Sequence, residues 1–366
     1  MKILYDHEVF TMQKYGGVSR YFYEIISRIC RFEDADVNLF LGINDSGYNF
    51  KSLSNYFTYF QSIKIPSLYK FYILLSWINN IKLKQLYNTR DFNLLHKTYY
   101  SPVGLDFKGK KIITVHDMTY EIYPSFFSEG DLTSSIKRNC VENADGIICV
   151  SKSTQNDLID IFNVNKEKTC VIYHGNSLRL KVVGKRIIQE PYILFVGQRG
   201  GYKNFNLLLT AYANYEKFNK NFKLVCFGGG AFNKSELLYI REKNLEDNVL
   251  YTSGSDKKLG NLYKYASVLV YPSFYEGFGF PPIEAMYYGC PIIASEYSSI
   301  PEVVGNAGLF FNPYYIEDLI FKLELILSDA ELREKIINNG FIQERNFDWN
   351  KAALSTFSFY KKIVGN

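Results

Sequence analysis

Short runs of apolar residues recur along the chain and alternate with longer segments of helical spacing. Such runs are typical of strands that are covered on both faces of a parallel sheet. The strands predicted in this way span residues 2–5, 37–42, 92–96, 111–115, 144–150, 171–173, 192–197, 222–227, 248–252, 266–271 and 292–295. Helical spacing predicts helices over residues 18–29, 155–162, 205–218, 257–265, 282–288, 316–327, 330–339 and 349–364. The alternation of the two patterns predicts an α/β fold.

The chain divides near its middle. Residues 181–191 mix glycine, lysine, arginine and glutamine between two strand-rich halves, a composition typical of a linker. A length of 366 residues also exceeds that of a single typical core. We therefore predict two domains, residues 1–183 and 190–349, followed by a last helix over about residues 350–366.

One segment, residues 271–289, combines a strand end, a glycine-containing loop, two carboxylates and the start of a helix. Gly277 and Gly279 suit positive φ angles and a close approach to a ligand. The two prolines that follow suit the first turn of a helix, which we predict over residues 282–288. Ligands of open α/β sheets bind beyond the carboxyl ends of the strands, where helix N-termini attract anions.

Glu276 and Glu284 flank this loop, with seven residues between them. Glu284 falls in the first predicted helical turn, where a carboxylate is electrostatically favoured, so helix stabilisation is an alternative explanation for it. Glu276 lies in the glycine-containing loop, so helix stabilisation does not explain it. The segment Glu-Gly-Phe-Gly-Phe-Pro-Pro-Ile-Glu-Ala-Met-Tyr-Tyr-Gly-Cys-Pro resembles the signature of retaining, group 1, glycogen-synthase-like glycosyltransferases.

This resemblance implies a GT-B fold, in which two Rossmann-like domains with parallel sheets face each other across a cleft and the last helix returns to the first domain. It implies that Glu276 holds hydroxyl groups of the donor sugar and takes part in catalysis. It also implies that Glu284 accepts hydrogen bonds from ribose hydroxyls. The backbone N–H groups expected to assist donor binding are those of Gly277, Phe278, Gly279 and Phe280.

A second glycine-rich loop, residues 197–204, precedes the helix predicted from residue 205. Its Arg199 offers a planar fork and its Lys203 a point charge for a diphosphate. Lys203 matches the lysine of the resembled family well, whereas Arg199 is displaced by one position from the commoner place. Because two cations there would neutralise the leaving nucleotide, we expect no metal and no cofactor, with the nucleotide diphosphate sugar as a substrate.

The glycine pair Gly16-Gly17 lies between the first strand and the first helix. Backbone N–H groups at such a place can face a phosphate, and a tight strand-to-helix turn is an equal alternative. In the resembled family this pair lies near the donor diphosphate or the acceptor, which favours donor binding.

His116 and Asp117 follow a predicted strand in the segment Val-His-Asp-Met-Thr-Tyr. The segment resembles the histidine-containing loop that the family places over the reacting sugar. This implies that His116 contacts the donor sugar or its 6-hydroxyl, and that Asp117 orients the histidine or contacts the acceptor. A histidine that completes a core hydrogen bond is the alternative. We expect structural roles for the remaining histidines, which are His7, His96 and His174.

Composition adds a candidate surface. Aromatic residues make up 17% of the chain and the net charge is +5. Aromatic and basic residues concentrate over residues 44–90, a pattern that suits contact with lipid headgroups. In enzymes of the resembled family this region forms part of the acceptor pocket, and undecaprenyl-linked acceptors are common among them. Helices that pack on the sheet with lysines on their outer face are an equal alternative.

The six cysteines are scattered without Cys-x-x-Cys pairs, which predicts buried, reduced thiols. The chain opens directly on a strand, and its apolar runs are far shorter than the ~20 residues of a spanning helix. We expect a cytoplasmic protein with peripheral contact to the inner face of the cell membrane. The modest charge and the lack of a nucleic-acid motif argue against binding of RNA or DNA.

The resemblance thus implies a retaining glycosyltransferase of cell-surface polysaccharide synthesis, such as that of O-antigen in lipopolysaccharide. We expect a nucleotide-sugar donor, GDP-mannose or a related GDP-sugar, and a glycan or polyprenyl-diphosphate-linked acceptor. Two alternatives stay open. One is a nucleotide-sugar epimerase or synthase on the same scaffold, and the other is a non-catalytic glycan-binding partner of a synthase.

Overall fold

The computed structural model describes residues 1–65 and 71–365. Five residues of the aromatic and basic segment, 66–70, therefore lie outside the described residues. The chain forms two compact units. The first unit comprises residues 1–175 and the segment from residue 348 onward, and the second comprises residues 176–347.

The first unit is built on a parallel sheet. Its strands within the described residues are β1 (Lys2–Tyr5), β2 (Asp36–Asn44), β3 (Tyr59–Lys64), β4 (Leu94–Lys97), β5 (Lys110–Val115), β6 (Gly146–Cys149) and β7 (Thr169–Val171). They lie side by side in the order β3-β2-β1-β4-β5-β6-β7. The apolar residues of β1 are fully buried, as expected for a strand that is covered on both faces. Sequence patterns missed β3, which lies at the edge.

Helices join these strands. Within the described residues they are α1 (Glu8–Met12), α2 (Gly17–Ile29), α3 (Tyr72–Thr89), α4 (Thr119–Ile122), α5 (Thr133–Glu142) and α6 (Lys152–Phe162). Ser151 caps α6 as its sequence predicts, because the Ser151 hydroxyl accepts a hydrogen bond from the Thr154 N–H at 3.0 Å.

The second unit repeats the alternation on a smaller parallel sheet. Its strands are β8 (Tyr192–Val196), β9 (Lys223–Phe227), β10 (Val249–Thr252), β11 (Val268–Tyr271), β12 (Ile292–Ser295) and β13 (Leu309–Phe311). They lie in the order β10-β9-β8-β11-β12-β13. Its helices are α7 (Phe205–Asn214), α8 (Glu216–Asn221), α9 (Lys234–Glu242), α10 (Asp256–Tyr265), α11 (Phe280–Tyr287), α12 (Ile300–Val304), α13 (Ile316–Ser328) and α14 (Ala330–Glu344).

The last helix, α15 (Trp349–Val364), belongs to the first unit and packs on α2. Asp348 caps it by accepting hydrogen bonds from the N–H groups of Asn350 and Lys351 at 2.6 and 3.2 Å. Its Tyr360 hydroxyl lies 3.1 Å from that of Tyr5 at the end of β1. The helix therefore covers one face of the first sheet.

The first unit ends at residue 175, earlier than the predicted boundary at 183. Asn176 donates hydrogen bonds to the Ile283 carbonyl at 3.3 Å and to Glu344 Oε1 at 2.9 Å. Arg179 Nε also donates to Glu344 Oε1, at 2.7 Å. These contacts attach residues 176–179, which the sequence assigned to the first domain, to the second unit.

Across the part of the chain that the structure describes, every helix is too short or too polar to cross a membrane.

Candidate active site

The glycine-containing loop between β11 and α11 lies at the carboxyl end of its sheet. Gly279 precedes the helix with a φ of 98°, in the left-handed region that favours glycine. Gly277 lies outside that region, so its predicted positive φ is wrong. The helix begins at Phe280 and not at residue 282, because the backbone turns at Gly279.

Glu276 lies in this loop and is 7% exposed. Its carboxylate oxygens accept hydrogen bonds from Lys203 Nζ at 2.7 and 2.8 Å, and Ser273 Oγ donates to one of them at 2.6 Å. The Glu276 N–H donates to Ser298 Oγ at 2.8 Å, and its carbonyl accepts from Ser299 Oγ at 2.8 Å. Lys203 and Ser273 therefore fix the carboxylate, and Ser298 and Ser299 fix the backbone of the same residue.

Lys203 follows β8, the strand that lies beside β11. The two loops are joined by a backbone hydrogen bond of 2.8 Å from the Phe274 N–H to the Tyr202 carbonyl. The sequence predicted donor-binding roles for Lys203 and Glu276 separately, and the structure brings them into a direct ion pair. Sequence reasoning missed this pair because it depends on which strands are neighbours in the sheet.

Arg199, the other cation predicted to bind the diphosphate, is 6% exposed and turned toward the protein. Its Nε donates to Glu236 Oε1 at 3.0 Å. Its terminal nitrogens donate to the carbonyls of Gly228, Gly230 and Ala231 at 3.0, 2.8 and 2.7 Å. Because an arginine has five N–H donors and four are used here, protein groups already occupy the planar fork, and the donor-binding role of Arg199 stays a prediction. Arg199 holds the turn after β9.

Glu284 lies in the second turn of α11 and is 4% exposed. The Tyr263 hydroxyl donates a hydrogen bond to Glu284 Oε2 at 2.9 Å. Burial, and next the charge of Glu284, raise the pKa of Tyr263 well above its ordinary value, so the phenol keeps its proton. Since Glu284 is outside the first turn, stabilisation of the helix start does not explain it.

Phe278 is buried, and its ring packs against those of Phe347 and Phe280 at centroid distances of 5.6 and 6.1 Å. The side chain thus belongs to the core of the second unit. Donor binding by the backbone N–H groups of residues 277–280 stays a prediction.

In the first unit, Gly16 caps α2 and Gly17 is its first residue. Gly16 has extended backbone, with a φ of −178°, so its backbone angle does not require glycine. A Cβ atom at Gly16 would lie 2.3 Å from Gln13 Oε1. Because that atom is the end of a flexible side chain, the turn before α2 does not strictly require glycine at this position.

His116 directly follows β5, and its ring packs against those of Tyr21 and His174 at 5.2 and 6.2 Å. His116 Nε2 is buried and has no hydrogen-bond partner among the described residues. Burial lowers the pKa of His116 to about 4. The imidazole is therefore neutral near pH 7, with one nitrogen left for a further hydrogen bond.

Asp117 is held by its neighbours. Its Oδ1 accepts a hydrogen bond from the Thr119 N–H at 3.1 Å. Lys137, which is 1% exposed, donates to the Asp117 carbonyl at 3.0 Å and to Glu121 Oε2 at 2.7 Å. Sequence reasoning missed Lys137, because a lysine in a polar helix usually lies in solvent. It positions the loop that carries His116 and Asp117.

Glu8, after β1, is a second residue that sequence reasoning did not assign. It is 7% exposed, and its Oε2 accepts a hydrogen bond from Ser76 Oγ at 3.4 Å. Its Oε1 is buried without a hydrogen-bond partner in the described part of the chain. Burial raises the pKa of Glu8, and the charge of Asp6 adds to this effect.

The other histidines complete core contacts. His96 Nε2 lies 2.9 Å from Thr114 Oγ1, His7 Nδ1 lies 3.0 Å from Thr11 Oγ1, and the His174 ring stacks on Trp349 at 5.6 Å. Among residues 1–65 and 71–365, no three His, Cys, Asp or Glu side chains are grouped so that they could hold a metal ion.

Comparisons with known proteins match both halves of the chain. Residues 180–343 match the family described as Glycosyl transferases group 1, and residues 15–179 match Glycosyltransferase Family 4. The O-antigen chain mannosyltransferase B of Escherichia coli is 28% identical over 299 residues, covering 76% of this chain and 77% of its own. The O-antigen chain mannosyltransferase RfbU of Salmonella typhimurium is 31% identical over 203 residues, covering 55% and 56%.

A solved structure of sucrose-phosphate synthase from Thermosynechococcus elongatus shares the fold. It matches with a TM-score of 0.78 and 21% identity, and covers 99% of this chain and 98% of that one. Two parallel α/β sheets of this kind are those of GT-B enzymes. Residues 180–343 therefore form a group 1 glycosyltransferase domain, preceded by a second glycosyltransferase domain over residues 15–179.

Proposed function

We propose that the protein transfers a mannosyl group from GDP-mannose to a hydroxyl group of a lipid-linked glycan, with retention of the anomeric configuration, in the synthesis of a cell-surface polysaccharide. The two named relatives are O-antigen chain mannosyltransferases, which supports the choice of sugar and process. The observation that carries the proposal is the Lys203–Glu276 pair, because it places a cation and a buried carboxylate at the carboxyl edge of one sheet.

Lys203 supplies the charge for the donor diphosphate. An ammonium group has three N–H donors, and Glu276 accepts from it at two oxygens, so Lys203 can bind a phosphate oxygen while it holds Glu276. Backbone N–H groups before α11 add a favourable dipole. Because protein groups neutralise the leaving diphosphate, we expect the transfer rate to be unchanged by EDTA.

Glu276 binds hydroxyl groups of the sugar in this proposal and does not attack it, since Lys203 and Ser273 fix its carboxylate. The bond between the anomeric carbon and the phosphate oxygen breaks, and the acceptor oxygen bonds to the same face of the sugar. The acceptor proton passes to the departing phosphate oxygen. Positioning and charge stabilisation then supply the rate enhancement.

Two further residues take binding roles. Glu284 accepts hydrogen bonds from the ribose hydroxyls, in an orientation that Tyr263 fixes. His116 donates to or accepts from a sugar hydroxyl through Nε2, which has no partner among the described residues. Its lowered pKa keeps the imidazole uncharged, so it acts as a hydrogen-bonding group.

Lys203→Ala tests the central assignment. We expect kcat/KM for GDP-mannose to fall about 100-fold or more, because the leaving diphosphate loses its cation. The matched control is Lys257→Ala, which removes an exposed lysine of the same unit and should leave kcat/KM unchanged. Equal rates for the two variants would contradict the proposal.

A panel of nucleotide sugars in a thermal-shift assay tests the donor. At 100 times its Kd, a donor adds about 2.7 kcal/mol to the free energy of unfolding. We expect GDP-mannose to stabilise the protein at lower concentrations than the UDP-sugars do. NMR of the product should show the anomeric configuration of the donor, and an inverted product, or donor consumption that needs no acceptor, would contradict the proposed transfer.

The surface of α3 supports a membrane-bound acceptor. Ile73, Trp77 and Ile81, spaced four residues apart, are 72%, 62% and 51% exposed, and we call them the α3 outer face. An apolar face of this kind is typical of a helix that lies in a membrane interface. Six basic and no acidic residues occur between Ser46 and Arg90. The charge of this segment complements that of an anionic leaflet.

Vesicle binding tests this contact. We expect the protein to sediment with phosphatidylglycerol vesicles more than with phosphatidylcholine vesicles. Changing the α3 outer face to serine should lower the partition coefficient about 10-fold for each side chain. The control changes three exposed apolar residues elsewhere to serine, namely Val182, Ile342 and Leu354. Equal losses for both triple variants would contradict a specific role for α3.

A further inference from the structure

A cavity of about 600 Å³ lies over the edge strand of the first sheet. Phe60, Ser62 and Lys64 line it from β3, and their spacing of two residues places them on one face of that strand. The segment 46–51, which follows β2, lines it as well. A cavity of this size is typical of small-molecule sites.

The lining changes from apolar to polar. Leu41 and Phe50 are both 2% exposed and contribute the apolar part together with Phe60. Beside them, Asn44 Nδ2 donates a hydrogen bond to Ser62 Oγ at 3.0 Å. The cavity therefore offers an apolar wall and a polar wall that is already ordered by its own hydrogen bonds.

Two exposed lysines, Lys51 and Lys64, complete the polar part. Neither has an acidic partner within 4 Å in the described part of the chain. The nearest acid in the sequence, Asp45, is not among the lining residues. The two positive charges therefore remain available to a ligand.

We propose that this cavity binds the diphosphate of a lipid-linked acceptor, with the lysines on the phosphates and the first apolar units of the lipid against Leu41, Phe50 and Phe60. An ammonium is a strong partner for phosphate oxygens, and a buried apolar wall suits a hydrocarbon chain. The assignment rests on the proposed function for the acceptor sugar, and it adds a second point at which the acceptor is held.

Most of the cavity lining, from Ser46 to Lys64, belongs to the same acid-free stretch of chain as the α3 outer face. β3 ends at Lys64 and α3 begins at Tyr72, so the lysine at the cavity and the apolar helix follow one another in the sequence. This order, a basic cavity followed by an exposed apolar helix, suits a phosphate that is attached to a membrane lipid.

Binding of farnesyl diphosphate, measured by titration calorimetry without any donor, tests the proposal. We expect the Kd of the Lys51→Ala/Lys64→Ala variant to rise about 10-fold or more for each lost charge. Lys108→Ala/Lys166→Ala, which removes two exposed lysines elsewhere in the first unit, is the charge-matched control and should bind as the unmodified protein does. Both farnesol and inorganic diphosphate should bind at least 10-fold more weakly than farnesyl diphosphate.

Equal affinity of the two double variants, or equal binding of farnesol and farnesyl diphosphate, would overturn the proposal. Phosphatidylglycerol vesicles at equal phosphate concentration separate the two sources of phosphate. If they displace the probe, bulk headgroups occupy the cavity and the acceptor assignment is wrong; if they do not, it is supported. Circular dichroism checks that the variants fold.

A transfer assay separates this inference from the proposed function. The lysine double variant should raise KM for a diphosphate-linked lipid acceptor and leave KM unchanged for a phosphate-free glycoside with the same sugar. Failure of the unmodified protein to transfer to either acceptor would contradict the proposed function, while the farnesyl diphosphate result would still decide the role of the cavity.

Discussion

Arg199 and Lys203 show how two cations of one loop acquire different roles. Both follow β8, and their charge alone suits either for a diphosphate. The planar guanidinium of Arg199 matches several carbonyl groups at once, and the turn after β9 uses it in that way. Lys203 contacts a carboxylate, and its ammonium group can bind a phosphate oxygen at the same time. Their chemical difference therefore decides which of them is left for a ligand.

Arg199→Lys tests the structural role of this guanidinium. We expect the free energy of unfolding to fall by about 2–4 kcal/mol, because a lysine cannot replace donors to Glu236 and three carbonyls. Urea unfolding measures this loss. The Kd for GDP-mannose should change less than about 10-fold at temperatures where the variant is folded. A stable variant that has lost donor affinity would restore Arg199 as a ligand.

At the scale of single elements, the errors have local causes. The predicted helix over residues 205–218 is two helices that meet at Tyr215. The Asn219 amide donates to the carbonyls of Tyr212 and Ala213, which the last turn of α7 leaves unpaired. β3 was missed because an edge strand has one hydrogen-bonded neighbour and its outer residues are exposed, so its apolar pattern is weak. Buried strands such as β8 and β12 were predicted closely.

Gly279→Ala tests the element that carries the candidate site. A φ of 98° is costly for alanine, and the added Cβ would lie 3.2 Å from the Tyr271 hydroxyl. We expect the free energy of unfolding to fall by about 1–3 kcal/mol and transfer to fall with it, because the start of α11 must shift.

Gly200→Ala is the matched control for this change. Gly200 has a φ of −84° and no atom within 4 Å of an added Cβ, so alanine should be tolerated. Chemical denaturation of the two variants measures the difference. Equal stabilities would show that the backbone at Gly279 adapts without cost.

Across the whole molecule, the sequence indicated the residues of the candidate site better than the contacts between them. The motif from Glu276 to Glu284 is local, so its two glutamates, together with the glycines and prolines in register with them, identified the family and its fold. The Lys203–Glu276 pair spans 73 residues and exists because β8 and β11 are neighbours, with Ile193 beside Val268. Strand order of this kind depends on the packing of the complete sheet.

The positions of the histidines should make the stability of the two units depend differently on pH. The four histidines of the chain all lie in the first unit. Burial lowers the pKa of His96 to about 3 and that of His116 to about 4, and it lowers the pKa of His174 well below the ordinary value. A folded-state pKa below the unfolded one means that stability is complete above pH 6.5 and is lost as the pH falls. Glu8 opposes this trend, because burial raises its pKa.

We therefore expect the first unit to lose stability selectively between pH 7.5 and 5.5, where exposed carboxylates stay ionised. The loss should be roughly 1 kcal/mol for each of the three histidines. Hydrogen exchange followed by mass spectrometry, corrected for the intrinsic pH dependence of exchange, measures protection separately in each unit. Peptides of residues 176–347 are the internal control, because that unit contains no histidine. His116→Asn should reduce the loss in the first unit by about one third, and equal losses in both units would contradict a histidine origin.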